Sequence, residues 1–412
     1  MNNDLFALAR RAEERISPRF REIDAIALEN TQKVLDAFAE ERVQAGDFAG
    51  TTGYGYDDTG RDKLERIYAR VFGAEKALVR TQFVNGTHAI ACAMFACVRP
   101  GETLLSITGG VYDTLETVVG KRGNVPGSFA DYGMGFDQIE LRDGEVDLPA
   151  VRARLAGDPA VKAVFIQRSR GYGIRRTLSP EEIGELCREI KALRPDVVTL
   201  VDNSYGEFVS TREPVALGAD LQAASLIKNP GGGLAPCGGY VAGRADLVDR
   251  AAARMTLPGI EGECGATLGV NRSLYQGFFL APHITAQAVK TGAFCAAVME
   301  ELGYRVSPGA EEIRYDIIQT IDFGAPDPLI RFCRGIQSAS PVDSFAAPEP
   351  GEMPGYEDPV IMAAGTFIQG SSIELSCDAP LRAPYTCYLQ GGLTYEAGKL
   401  GILRAARTMM ER

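Results

Sequence analysis

The stretch ASLIKNPGGGLAPCGGY, residues 224–240, sets a single lysine, Lys228, after a short apolar run and before a cluster of glycines and prolines. A charged amine is costly to bury in such a run, yet the carboxyl end of a strand is where α/β folds keep their ligands. Lys228 therefore reads either as an ordinary loop residue or as an amine that forms a Schiff base. Its neighbours favour the second reading. Ser225 offers a hydroxyl, and the glycines that follow permit close backbone approach, both suited to an anionic phosphate. The stretch VTLVDNSYGEF ends a second apolar run at Asp202. A carboxylate there either caps a turn or pairs with a protonated pyridine nitrogen, whose pKa an opposite charge raises by ~1–3 units. A pyridinium is what an electron sink requires.

Two more stretches point to the same edge. FVNGTHAIACAMFACV runs from Asn85-Gly86 into an apolar helix, whose first N–H groups, with the Thr87 hydroxyl, make an anion site suited to phosphate. The plain alternative is a threonine cap on a core helix, and His88 reads as a satisfied core histidine. In TGGVYDTLETVVG, Tyr112 follows a strand and opens a helix, where its ring either stacks on a planar cofactor or closes the core.

The elements that must position these residues follow from periodicity. Residues 1 to about 45 repeat apolar positions near a 3.6 period and read as helix. A glycine- and tyrosine-rich loop comes next, before a helix beginning near Asp62. Candidate strands are 76–81, 103–107, 161–167, 197–203, 223–228 and 238–243, and candidate helices are 87–98, 113–120, 180–193 and 245–254. Nearly continuous apolar strands alternating with helices imply a mainly parallel sheet covered on both faces. A long helix at 283–302, then YDIIQTIDF, FIQGSSIELS and a closing helix at 393–411, suggest a small α+β unit, and the proline-rich stretch 340–360 reads as a loop.

Bulk composition narrows the function classes. The 412-residue chain exceeds what one hydrophobic core usually supports, so a large and a smaller domain are expected. A net charge of −11 opposes the basic surface that nucleic-acid binding needs. No apolar run approaches the ~20 residues of a membrane helix, and the mixed charges of the first residues read as cytoplasmic rather than secretory. Nine scattered cysteines without a C-x-x-C pair suggest neither a disulfide framework nor a zinc knuckle. Two histidines in the whole chain argue against a histidine-rich metal site, so no metal is expected.

Taken together, YGYDDTGRDKLE, FVNGTHAIA, VYDTLE, IQRSRGY, VDNSYGEF, SLIKNPGGGLAPCGGY and GSSIELSCDAPLRAPYTCYLQGGLTYE resemble the pyridoxal-phosphate proteins of the methionine gamma-lyase or aluminium-resistance family. These are relatives of the Cys/Met-metabolism enzymes of fold type I. The resemblance implies an α/β architecture with a mainly parallel seven-stranded sheet. It divides the chain into an N-terminal helical arm (1–50), a large cofactor-binding domain (51–290) and a smaller C-terminal α+β domain (291–412). Lys228 would anchor pyridoxal 5'-phosphate as an imine, Asp202 would hold the pyridine nitrogen and Tyr112 would stack over the ring. Gly86, Thr87 and Ser225 would bind the phosphate. In related lyases a loop of the neighbouring subunit also reaches the phosphate, which makes Tyr54, Tyr56 and Arg61 candidates and implies a homodimer or homotetramer with shared sites. Arg382 matches the arginine that takes the substrate carboxylate, a charge-assisted pair of ~1.5–3 kcal/mol. Arg168 and Arg170 are weaker candidates for the substrate or the cofactor's ring oxygen.

The reaction so implied is carbon–sulfur lysis. Lys228 would remove the Cα proton of a methionine-, cystathionine- or cysteine-type substrate, a thiol would leave, protonated by Tyr112, and an oxo acid and ammonia would result. An aminotransferase, a γ-replacement or aldol-type enzyme, and a non-catalytic homologue that binds the same cofactor are the alternatives.

Overall fold

The structure, a computed structural model, describes residues 3–410 apart from 172, 174 and 353–357. A 38-residue helix, α1 (Asn3–Glu40), opens the chain with Pro18 inside it. Its apolar stripe Leu5, Leu8, Ala12 and Ile16 is buried, as the 3.6 period required.

Seven strands then form one sheet: β1 (Lys76–Arg80), β2 (Thr103–Ser106), β3 (Gly135–Gln138), β4 (Val161–Gln167), β5 (Val198–Asp202), β6 (Leu221–Ser225) and β7 (Gly239–Gly243). Their order is β1-β7-β6-β5-β4-β2-β3. Pairing is parallel from β3 through β6, while β7 runs antiparallel to both β6 and β1. Six strands therefore point one way, giving the mainly parallel seven-stranded sheet expected.

Helices α2 (Thr59–Phe72), α3 (Gly86–Cys97), α4 (Asp113–Glu116), α5 (Leu148–Gly157), α6 (Pro180–Leu193) and α7 (Ala245–Met255) alternate with the strands. The pleat of β4 shows why its sequence is apolar throughout. Ala163 and Phe165 pack with α3 and α7 on one face, and Val164 and Ile166 pack with α5 and α6 on the other. Local signals set the helix starts. Asp58 caps α2 by accepting from Arg61 N at 2.9 Å, and Ser179 with Glu182 forms a capping box at α6.

Helix α8 (Asn271–Glu301) runs on without a break through residue 290. Its first half, with Leu274, Tyr275 and Phe278, packs beneath the seven-stranded sheet, and Phe294 to Met299 enter the core of a second sheet. That sheet is antiparallel, in the order β10 (Val360–Ala363), β11 (Ser376–Pro380), β12 (Thr386–Gln390), β9 (Ile318–Asp322), β8 (Arg305–Ser307). It is backed by α9 (Pro326–Ala339) and α10 (Tyr395–Met410).

Several sequence-based elements differ. The helix expected at 113–120 is the single turn α4, followed by non-helical chain that ends at Gly120, with φ 86°. The helix expected from 283 starts at Asn271 and tolerates Pro282. In FIQGSSIELS the chain loops instead of extending, because the Glu374 carboxylate accepts from Phe367 N at 2.8 Å and Ile368 N at 3.0 Å. Within the loop read at 340–360, residues 353–357 lie outside those described, as does Tyr172 of the QRSRGY motif.

Candidate active site

Three strands deliver polar residues at their carboxyl ends: Gln167 from β4, Asp202 from β5 and Ser225 from β6. The sequence reading carried β6 to residue 228, whereas the strand stops at Ser225. Leu226 N donates to Gly238 O at 3.0 Å, and the chain turns at Pro230, so Lys228 enters a tight turn, Asn229–Gly231. The glycines here are a matter of clearance. A Cβ on Gly231 would lie 1.9 Å from Leu226 O, and one on Gly277 of α8 would lie 2.2 Å from Gly231 O. The lysine turn thus rests directly on the backbone of α8. Fully buried Asn229 ties it to the loop after β5, donating to Tyr205 O and Glu207 O at 3.0 Å each.

These ends surround a cavity of about 390 Å³, and Gly86, Thr87, Tyr112, Asp202, Ser225 and Lys228 all line it. Burial depresses the Lys228 amine, but Tyr205, Asp202 and Glu207 outweigh burial and raise its pKa above the usual lysine value. Burial raises the Asp202 carboxyl, against the opposing pull of Lys228 and of Ser204 N, which donates to it at 3.0 Å. A buried acid and a half-buried amine therefore share one chamber, an arrangement characteristic of functional clefts.

The opposite wall is the start of α3. Asn85 caps it, accepting from His88 N at 2.9 Å, and Gly86 and Thr87 of the first turn line the cavity, as suits an anion. Gly86 has to be glycine, since a Cβ there would lie 2.6 Å from Ser225 Cβ. Thr87 Oγ1 sits 3.2 Å from Thr114 Oγ1. The ring of His88 is turned away, accepting from Val84 N at 3.1 Å and standing edge-on to Phe83, and burial keeps its pKa low.

A second chamber of about 460 Å³ adjoins the first across Tyr112, Gln167 and Gly171 and carries Arg170, Arg175 and Arg382. Arg382 lies at its rim, 57% exposed and 3.4 Å from Asp358. Arg170 is buried and donates to Ser307 Oγ at 3.1 and 3.2 Å, and among the described residues it pairs with no carboxylate.

Arg168 is a correction. Its side chain is fully buried and reaches neither chamber, bonding Asn203 Oδ1 at 2.8 Å and Glu213 Oε2 at 3.3 Å. It props the loop after β5: a Cβ on Gly206 would lie 2.4 Å from its Nη1. Gly206→Ala must displace a buried guanidinium, so it is expected to destabilise the fold by about 1–3 kcal/mol, seen as a lower midpoint in thermal melting. Tyr54, Tyr56 and Arg61 also do not line the cavity of their own chain. Tyr54 and Tyr56 are exposed at 74% and 55% and stack on each other at 5.7 Å, while buried Arg61 donates to Gly55 O and Gly265 O.

Among the cavity residues missed from the sequence are Gln167 and Tyr205. Gln167 ends an apolar strand just as Asp202 does, a readable signal, and among the described residues its Oε1 has no partner. Tyr205 carried no periodic signal, and only the fold places it against Lys228.

This donor set fits pyridoxal phosphate. The first turn of α3 with Ser225 suits a phosphate, Asp202 suits a cationic ring nitrogen, Lys228 suits an aldehyde, and the orphaned Gln167 oxygen awaits a donor.

Comparison with known proteins agrees with this architecture. The chain is 48% identical over 394 residues to the uncharacterized protein YnbB of Bacillus subtilis, covering 95% of this chain and 93% of the relative. The structure is similar to that of a carbon-sulfur lyase involved in aluminum resistance from Clostridium novyi, with a TM-score of 0.95 and 49% identity over 98% of this chain and 96% of that one. The pyridoxal-5'-phosphate dependent protein YhfS of Escherichia coli shares the fold at 17% identity, with a TM-score of 0.62 over 94% and 96% of the two chains. The family model described as methionine gamma-lyase matches residues 5–410, and the chain belongs to that family.

Proposed function

We propose that the protein is a carbon–sulfur lyase that uses pyridoxal 5'-phosphate to eliminate a thiol from a sulfur amino acid, releasing an oxo acid and ammonia. The observation that carries this reading is the convergence of Lys228, Asp202 and the α3 start on one cavity at the carboxyl edge of the sheet. When bound, the coenzyme supplies an aldehyde for the substrate's amino group and a cationic ring that stabilises negative charge at Cα.

The chain's own residues divide the remaining work. The first turn of α3, with Gly86, Thr87 and Ser225, holds the phosphate, and Asp202 keeps the ring nitrogen cationic. Tyr112 stacks on the ring and hands a proton to the departing sulfur. Lys228 anchors the coenzyme at rest and, as a free amine, takes the Cα proton. Arg382 meets the substrate carboxylate at the rim of the arginine chamber. The exposed pair Tyr54 and Tyr56, on a loop that the buried Arg61 holds in place, supplies phosphate contacts to a neighbouring copy, so the working form is a homodimer or homotetramer. Among the described residues no helix is long and apolar enough to cross a membrane, and we place the enzyme in the cytoplasm.

The test is incubation of the purified yellow protein with methionine, cystathionine and cysteine. Pyruvate with ammonia identifies β-elimination, and 2-oxobutyrate with ammonia identifies γ-elimination. A pyridoxamine form without released ammonia would mark an aminotransferase and overturn the lyase reading.

A further inference from the structure

Tyr205 has no part in the roles above, yet it is held at some cost. It follows Asp202 by three residues in the loop after β5, and its φ of 73° places a bulky side chain in the left-handed region that favours glycine. The loop fixes it there from two sides. Asn229 donates to its carbonyl oxygen, and Arg168 packs under Gly206, the next residue. The ring lines the cavity, and the Lys228 ammonium stands 3.9 Å from its centroid.

The charged groups around that ammonium are few. Asp202 and Glu207 face it, with Arg175 acting on Asp202 and Glu213 on Glu207. Burial and Glu213 push the Glu207 carboxyl up to about 8, so it carries little charge near neutrality. Asp202 is assigned to the coenzyme's ring nitrogen. The aromatic face is therefore one contact that favours a cation on Lys228 whatever the protonation of its neighbours, beside the Tyr205 hydroxyl, which also raises the pKa of the amine.

We infer that Tyr205 is a catalytic residue whose ring face stabilises the ammonium that Lys228 becomes on taking the substrate's Cα proton. The C–H bond breaks, the proton bonds to the lysine nitrogen, and the bonding pair stays on the substrate side. The catalytic consequence rests on the lyase reading, while the effect of the ring on the amine does not.

The test uses the full-length protein and two variants, Tyr205→Phe, which keeps the ring, and Tyr205→Gly, which suits the left-handed backbone and so folds. The first readout is the pH dependence of the rate at which the visible band forms when pyridoxal phosphate is added to coenzyme-stripped protein, because only the neutral amine reacts. The Tyr205 side chain raises the pKa of Lys228, so its loss lowers the midpoint. Tyr205→Gly is expected to shift it down by about one unit, and Tyr205→Phe, which keeps the ring and loses only the hydroxyl, by clearly less. The second readout is turnover of whichever sulfur amino acid wild type cleaves: kcat falls about 10-fold in Tyr205→Gly with KM little changed, and Tyr205→Phe rescues it. Equal midpoints in wild type and Tyr205→Gly, or a Tyr205→Phe variant as impaired as Tyr205→Gly, would overturn the inference. Should wild type cleave no sulfur amino acid, the lyase reading fails while the midpoints still decide the Tyr205 contact.

Discussion

Lys228→Ala is expected to lose turnover by at least ~10⁴-fold, since one side chain both anchors the coenzyme and moves the proton. The same change removes both the visible imine band that borohydride bleaches in the wild type and the near-ultraviolet band that reduction leaves fixed to the chain. The fold should survive it. The turn is held by Asn229 and by its seat on α8, neither of which uses the lysine amine. Without that ammonium the buried Asp202 loses a charge that lowers its pKa, and its carboxyl rises further. A circular-dichroism spectrum like that of wild type, with no borohydride-fixed band, is the expected pair of results. A fixed band that persists at another lysine would refute the assignment.

Asp202→Asn is the second large effect, and its signature differs. The amide keeps the size of the side chain and can still accept from Ser204 N, so folding and coenzyme capture persist. What it lacks is the negative charge that holds a ring nitrogen protonated. Removing one preorganised electrostatic contact of this kind costs ~10²–10³-fold in kcat, and Asp202→Asn should fall in that range while its borohydride-fixed absorbance stays intact. Near-wild-type turnover in Asp202→Asn would show that Asp202 only closes a turn. The two variants thus separate holding the coenzyme from activating it.

Much of this site was legible in the sequence because it lies where short apolar runs stop. Asp202 and Lys228 announce themselves as polar residues at such endings, and Gly86-Thr87 as a glycine and a cap before an apolar helix. Lys228 sits three residues past its strand rather than on it, since apolar burial continues through Leu226 after the strand pairing has ended. Strand β3 was invisible because GFDQ, at the sheet edge, is half-buried and carries no apolar run. The strands of the second sheet were blurred for another reason. Ser376 to Pro380 read as polar and turn-forming, and they are buried only because other parts of the chain cover them. Arg168 misled for the same cause: a charged residue after a strand suggests a ligand, and only tertiary structure reveals the partners Asn203 and Glu213. Tyr205 depends on a backbone conformation that residue type argues against, so no sequence pattern could mark it.

The contact between Gly277 and Gly231 has a mechanical meaning. Helix α8 meets the lysine turn with no side chain to act as a cushion, and about twenty residues further on, roughly 30 Å along its axis, it is clamped inside the outer sheet. A stiff rod gripped at both ends transmits rocking from one grip to the other. The outer sheet, beside whose strand β11 Arg382 stands, and the turn that aims the amine thus share one support, and the length of α8 sets the spacing between them.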